Sequence, residues 1–209
     1  WASPGLWVAL ATVALLFYAF VRWEFRVAEP MLDLRLFNNR MFSLAVVTRL
    51  LGFMGMTATM FMMPIYLISF RGISEAAAGG VLFLTSFGMG LAAYASGRLS
   101  DRFGTRRFTL LGFAVLIATT IPMAFLSDGT PIAFIMFVLL ANGIGAGIWN
   151  VPNNSMILGM APASSLGVVA ALTNLTRNVG NVFGQAVAAG VVVAVMAAQG
   201  FDIPLSAIR

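Results

Sequence analysis

Six long runs of apolar residues, separated by short connectors, dominate the chain. They cover residues 5–21, 43–69, 76–96, 108–127, 131–151 and 166–198. A helix needs about 20 apolar residues to cross the roughly 30 Å hydrocarbon layer of a bilayer. Because 60% of the residues are hydrophobic and only 9% are charged, the chain lacks the polar surface that a soluble domain needs to cover its core. The sequence therefore predicts an all-α membrane protein with about six transmembrane helices.

The twelve basic residues are all arginines, and most of them lie in two connectors. If the six spans alternate in direction, the connectors after the first and third spans lie on the same side of the membrane. These two connectors contain Arg22, Arg26, Arg35, Arg40, Arg98, Arg102, Arg106 and Arg107. The opposite side has only Arg71 and Arg209. The positive-inside rule then predicts that the Arg-rich side is cytoplasmic, which suits a multi-pass protein of the cell (inner) membrane in contact with lipid.

Several kinds of chemistry are not expected from these residues. The chain has no Cys and no His, and it shows no paired carboxylates and no nucleophile motif, so we expect no enzyme, metal site or cofactor. The arginines lie in connectors and do not form one basic face, so we expect no nucleic-acid partner. No phosphate-binding Gly-Lys-Ser/Thr loop is present, so these residues contain no site for ATP-driven transport.

Polar residues within the last two spans are the candidates for a functional path. The sixth span contains Asn174, Arg177, Asn178, Asn181 and Gln185, which fall within an arc of about 100° on a helix. The fifth span carries Asn142 and Asn150. Polar groups at bilayer depth face a cavity or another helix, and two interpretations stay open: a substrate path, or hydrogen bonds that hold the bundle together. For Arg49, in the second span, we favour a side chain that reaches back to the headgroups.

The segment GRLSDRFGTRR, residues 97–107, is the most specific motif in the chain. It resembles the signature of the major facilitator superfamily, Gly-x-Leu-Ala/Ser-Asp-Arg-x-Gly-Arg-Arg/Lys, in a cytoplasmic loop between two helices. The matching residues are Gly97, Leu99, Ser100, Asp101, Arg102, Gly104 and Arg106. Thr105 stands where the family commonly has a basic residue. In addition, WEFRVAEPMLDLRLFNNRMF and the segment 152–190 are similar to the fourteen-helix drug/proton antiporter branch.

The resemblance implies most of the C-terminal half of a major facilitator fold. Residues 1–21 would be a linker transmembrane helix, 43–198 a bundle of five helices, and 199–209 an extracytoplasmic tail before a last helix. Residues 22–42 mix acids and arginines with apolar residues, which favours a cytoplasmic amphipathic connector along the headgroups; an ordinary solvated linker is the alternative. An N-terminal half would be the missing partner. The motif would act as a conformational latch through Gly97, Leu99, Asp101, Arg102, Gly104 and Arg106.

The implied function is secondary active transport. It would export drugs or other apolar or cationic small molecules by proton antiport through alternating access. All seven acids lie in predicted connectors or the tail: Glu24, Glu29, Asp33, Glu75, Asp101, Asp128 and Asp202. A carboxylate that carries the proton at membrane depth would therefore belong to the missing half. The alternative is a channel-like or non-transporting membrane subunit, in which the polar stripe lines a pore or packs helices.

Overall fold

The computed structural model describes residues 4–24, 26 and 34–198, and the regular structure in this part of the chain is helical. The long helices are α1 (Pro4–Glu24), α2 (Arg40–Pro64), α3 (Glu75–Phe103), α4 (Thr105–Met123), α5 (Ile132–Gly159) and α6 (Leu166–Ala198). Within the described residues, five helical segments are long and apolar enough to cross a membrane. The first predicted span is helical as α1 but is not one of these five. The predicted all-α membrane fold class is confirmed.

The region before α2 differs in detail from the predicted connector 22–42. Leu34–Asn38 forms a short 3-10 helix, and α2 begins at Arg40 instead of the predicted residue 43. The earlier start has a local cause, because the side chain of Asn39 accepts a hydrogen bond from the backbone N–H of Met41 at 3.0 Å and caps the helix. Residues 27–33 of the connector and the predicted tail 199–209 lie outside the described residues.

Helix α5 is the centre of the bundle. It packs chiefly against α3 and α4, whereas α6 packs against α2. The close approach of α5 to α3 depends on glycine: a Cβ atom at Gly143 would overlap the backbone carbonyl of Thr85. In the second pair, a Cβ at Gly184 of α6 would overlap the backbone of Met54 in α2. Small residues thus allow the contact in a bilayer, where apolar burial gives little driving force between helices.

Trp149 of α5 fills the space where α2, α4 and α5 meet. Its side chain is fully buried, and its ring lies edge-on to Phe53 of α2 and Phe113 of α4, with centroid separations of 5.3 Å and 5.1 Å. The ring also covers Gly52 and the backbone of Trp149 lies against Gly112. One aromatic residue of α5 therefore contacts two other helices, α2 and α4.

At the other end of α2, a π-helical turn, Ile65–Phe70, extends the span. The hydroxyl of Tyr66 donates to the carbonyl oxygen of Ser127 at 2.9 Å. The guanidinium of Arg71 donates to the backbone carbonyls of Ser127, Asp128 and Thr130. These bonds hold the connector between α4 and α5 against the end of α2.

The motif segment 97–107 is helical rather than a loop, so the prediction of a loop was wrong. Helix α3 continues through Phe103, and α4 begins at Thr105. Only Gly104 interrupts the helices, with φ of +94°, a conformation that glycine adopts without the steric cost of a Cβ. The other motif residues can continue a helix, and Gly97 lies within α3, where a Cβ would be in ordinary contact with Val151. The apolar run ends at Ser96, but the helix does not.

Candidate transport site

A polar cleft lies between α2, α5 and α6. We call it the arginine cleft, and its volume is about 340 Å³. Its lining residues are Arg49, Asn150, Val151, Asn154, Ser155, Leu158, Ala170, Thr173, Asn174 and Arg177. Among them are two arginines and five neutral polar residues but no carboxylate. The described part of this cleft is therefore positively charged.

Arg49 is built into the wall of the cleft. It is only 5% exposed, its Nε donates to the carbonyl oxygen of Thr173 in α6 at 3.1 Å, and its Nη1 donates to Oδ1 of Asn150 in α5 at 3.3 Å. The guanidinium carbon also lies 5.1 Å from the ring centroid of Phe53, within the range of a cation–π contact. Arg49 joins three helices, so the prediction that it reaches back to the headgroups was wrong.

The polar stripe of α6 is mostly exposed. Asn174, Arg177, Asn178 and Gln185 are exposed and Asn181 is half-buried, while the face that packs on α2 consists of small and short residues that include Thr173, Thr176, Gly180 and Gly184. Of the stripe, Asn181 accepts a hydrogen bond from the hydroxyl of Thr57 in α2 at 2.7 Å. Asn174 donates to a carbonyl of its own helix. Hydrogen bonding between helices therefore explains the polar side chain at Asn181. It does not explain the exposed members of the stripe.

Asn142 lies apart from the arginine cleft. It is 4% exposed, and its Nδ2 donates to the hydroxyl of Thr119 in α4 at 3.0 Å. It borders a second cleft of about 250 Å³ between α2, α4 and α5, whose other walls are mainly apolar and include Met56 and Phe113. The structure thus places Asn150, Asn174 and Arg177 together, and separates Asn142 from them.

The predicted path did not include Arg49, Ser155 or Thr173, which also line the arginine cleft. Arg49 had one available signal, because it is the only charged residue within the run 43–69, and a charge at bilayer depth is costly unless it has a function or a partner. Ser155 and Thr173 gave no such signal, since hydroxyl groups in membrane helices commonly bond to their own backbone, as Thr173 also does with Ala170.

Asn153, next to the cleft, has a structural role. Its side chain is fully buried, and its Nδ2 donates to the carbonyl oxygen of Ala45 at 3.2 Å and to the hydroxyl of Thr48 at 3.3 Å. These bonds connect α5 to α2 beside the contacts of Arg49. The polar layer therefore consists of a buried part that holds α2 and α5 together and an exposed part that borders the cleft.

The structure is a helical bundle with glycine-mediated contacts and a helix–Gly–helix motif. A comparison against known families agrees with these features. The model of the family described as Major Facilitator Superfamily matches residues 2–185. The chain belongs to the major facilitator superfamily. No solved structure matches the chain.

Curated relatives within the superfamily carry several different names. The chain is 27% identical over 175 residues to the riboflavin transporter RibZ of Clostridioides difficile, covering 84% of this chain and 38% of that protein. It is 26% identical to the lincomycin resistance protein LmrB of Listeria monocytogenes, covering 90% and 40%. It is also 26% identical to the multidrug resistance protein Stp of Mycobacterium tuberculosis, covering 95% and 37%. The chain therefore spans less than half the length of these curated relatives.

The superfamily motif forms an exposed surface at the junction of α3 and α4. Asp101, Arg102, Gly104 and Arg106 are all exposed, and Leu99 is 45% exposed. The guanidinium of Arg102 lies 5.5 Å from the ring centroid of Phe103. The motif thus presents an acid, two arginines and a leucine away from the bundle.

Proposed function

We propose that this chain forms most of the C-terminal half of a secondary active transporter that exports drugs or other small molecules through alternating access. The observation that carries the proposal is the exposed polar stripe of α6 beside the arginine cleft. Exposed Asn and Gln side chains and Arg177 are costly against lipid, so this face of α6 suits a water-accessible path between two halves of a transporter. The names of LmrB and Stp support drug export, and that of RibZ shows that the relatives differ in substrate.

The arrangement of the whole protein is part of the proposal. Helix α1 would link the two halves, the connector 22–42 and the motif would lie on the cytoplasmic side of the cell membrane, and the tail 199–209 on the other side. The eight arginines of the first and third connectors support this orientation. The N-terminal half would supply the other wall of the path.

Proton antiport is proposed as the driving reaction. No carboxylate lines the arginine cleft, and the described acids Glu24, Glu75, Asp101 and Asp128 lie at helix ends or in a connector. The proton-carrying carboxylate would then belong to the N-terminal half. For the same reason, the negative partner of a cationic substrate would have to lie in that half as well.

Dye efflux tests this proposal. Cells that express the full-length protein should lower their content of a fluorescent dye relative to cells without it, and a proton uncoupler should abolish the difference. Efflux that persists with the uncoupler would rule out proton antiport. If the protein reaches the membrane but a panel of apolar and charged dyes shows no efflux, drug export would be rejected in favour of a different substrate or a subunit that does not transport.

The exposed motif gives a second test. We expect Asp101→Asn to lower transport at least about tenfold, because the carboxylate would pair with the other half in one conformation of the cycle, and a charge-assisted hydrogen bond contributes about 1.5–3 kcal/mol. Asp128→Asn is the matched control, since Asp128 is also exposed but lies at the opposite end of the bundle. Both variants should insert at normal levels. Normal transport by a normally expressed Asp101→Asn variant would reject the latch.

A further inference from the structure

We propose that the arginine cleft binds the carboxylate of a small-molecule substrate, with Arg49 and Arg177 as its charged ligands. This inference rests on the proposed transport function and adds a substrate class to it: molecules that carry an anionic group beside an apolar or aromatic body. It differs from export of cations, for which the described part of the cleft has no negative charge.

The buried arginine is the main argument. An ionised group away from water is costly unless it is paired and hydrogen-bonded. Arg49 is 5% exposed, and it donates hydrogen bonds to two neutral acceptors, the carbonyl of Thr173 and the amide oxygen of Asn150. A guanidinium has five N–H donors in a fork that fits a carboxylate. These two bonds use two of the donors, while the charge itself has no counter-ion among the residues of the cleft.

Arg177 adds a second positive charge to the same cleft. It extends from α6, whereas Arg49 extends from α2, so the two charges approach the space from different helices. Like charges in a partly desolvated site repel each other, and an anion between them would relieve that repulsion. Oxyanion binding is thus favoured both by direct attraction and by the removal of an unfavourable contact.

The remaining walls fit an organic acid. Asn150 keeps its amide N–H groups when its oxygen accepts from Arg49, and Asn154 and Ser155 lie on the same wall. Val151, Leu158 and Ala170 provide apolar surface in the same space. The volume of this cleft, about 340 Å³, lies within the range of small-molecule sites and leaves room for the carboxylate end of an organic molecule.

The cleft also lies at a depth that a substrate can reach. With a helical rise of 1.5 Å per residue, Arg49 lies about 14 Å from the start of α2 at Arg40. Arg177 lies about 16 Å from the start of α6 at Leu166. Because both helices would start at the cytoplasmic side in the proposed orientation, the two arginines would meet a substrate that enters from the cytoplasm.

A carboxylate could instead come from an acidic side chain of the N-terminal half. The chemistry at Arg49 and Arg177 would be the same, but the response to a ligand would differ. If a protein carboxylate neutralises the cleft, affinity will not depend on whether the ligand has a carboxylate of its own. If the substrate supplies it, affinity will fall when the ligand carboxylate is blocked.

The experiment compares two dyes that differ only at that group: rhodamine 110, with a free carboxylate, and rhodamine 123, its methyl ester. Binding to the purified full-length transporter in detergent is measured by fluorescence anisotropy. We expect the wild type to bind rhodamine 110 at least about tenfold more tightly than rhodamine 123, and Arg177→Gln to remove most of this preference. Arg49→Lys, which keeps the charge but not the fork, should reduce the preference without abolishing it.

Arg40→Gln is the matched control, because it removes the same charge from an exposed position of α2 outside the cleft. This variant should keep the wild-type preference for rhodamine 110 over rhodamine 123. Thermal unfolding of each variant shows whether it is folded. The inference is overturned if the wild type binds the two dyes equally, if it fails to bind rhodamine 110, or if Arg177→Gln weakens both dyes by the same factor. Efflux measured in parallel separates the proposals: a carboxylate preference without efflux of any dye would reject drug export but support the cleft.

Discussion

Gly143→Ala should destabilise the protein by about 3 kcal/mol or more. The added methyl group would overlap the backbone carbonyl of Thr85, and a backbone group cannot rotate away as a side chain can. Overpacking costs about 1–3 kcal/mol where neighbouring side chains can adjust, so a backbone clash lies at the upper end of that range or above it. The variant would have to separate α3 from α5, which is the central helix of the bundle. Thermal or denaturant unfolding of the purified protein in detergent measures the change.

Gly90→Ala is the control for this substitution. Gly90 lies in the same membrane-spanning helix as Thr85, α3, and a Cβ there has no neighbouring atom within 4 Å. Replacing glycine by alanine in a helix stabilises it by up to about 1 kcal/mol, so this variant should be as stable as the wild type or slightly more stable. Equal stability of the Gly143→Ala and Gly90→Ala variants would contradict the close contact between α3 and α5.

Hydropathy predicted the number and approximate place of the helices because a helix that crosses the hydrocarbon layer must be apolar along most of its length. The sixth predicted run, 166–198, coincides with α6. Hydropathy did not predict where α3 ends, because an apolar run marks the edge of the hydrocarbon layer and not the end of hydrogen bonding along the backbone. Helix α3 therefore continues past Ser96 through charged residues until Gly104, where the backbone has a positive φ.

The pairing of helices could not be predicted in the same way. In a soluble helix the apolar face is the buried one, but lipid accepts apolar side chains as well as protein does. On α6 the exposed side includes Val182, Phe183 and Val187, while the side packed on α2 includes Thr173 and Gly180. The buried residues of this face are small, whereas both large apolar residues and strongly polar ones are exposed, so amphipathic periodicity does not identify the contact.

Only part of the candidate site could be predicted from the sequence. The stripe of α6 is visible in the sequence as a helical repeat of polar residues, and four of its five members are exposed in the structure, while its role as a path stays a prediction. The role of Arg49 depends on the carbonyl of Thr173, which is 124 residues away in sequence. Every residue has a backbone carbonyl, so a hydrogen bond to that group does not depend on the type of the partner residue. Such a contact cannot be inferred from residue types alone.

Trp149 and Gly52 should show strong coupling in a double-mutant cycle. Gly52→Ala would place a methyl group in steric overlap with the edge of the indole ring of Trp149, and we expect a loss of about 1–3 kcal/mol from overpacking. Trp149→Ala would leave a cavity between α2, α4 and α5 and remove the edge-on contacts with Phe53 and Phe113. Replacing a buried Trp by Ala costs about 3–5 kcal/mol in soluble proteins, and we expect a value near the lower limit here because lipid reduces the transfer contribution.

The double variant distinguishes a direct contact from general damage to the bundle. With Trp149 replaced by Ala, the methyl group at position 52 would point into the cavity and restore some packing, so Gly52→Ala should be neutral or slightly stabilising in that background. The coupling free energy should then reach about 1–3 kcal/mol, as is typical of residues in contact. The measurement is the unfolding of the wild type, the two single variants and the double variant in the same detergent. If the two losses simply add, Gly52 does not lie against the indole ring, and the way that α2 packs on α5 around Trp149 would have to be different.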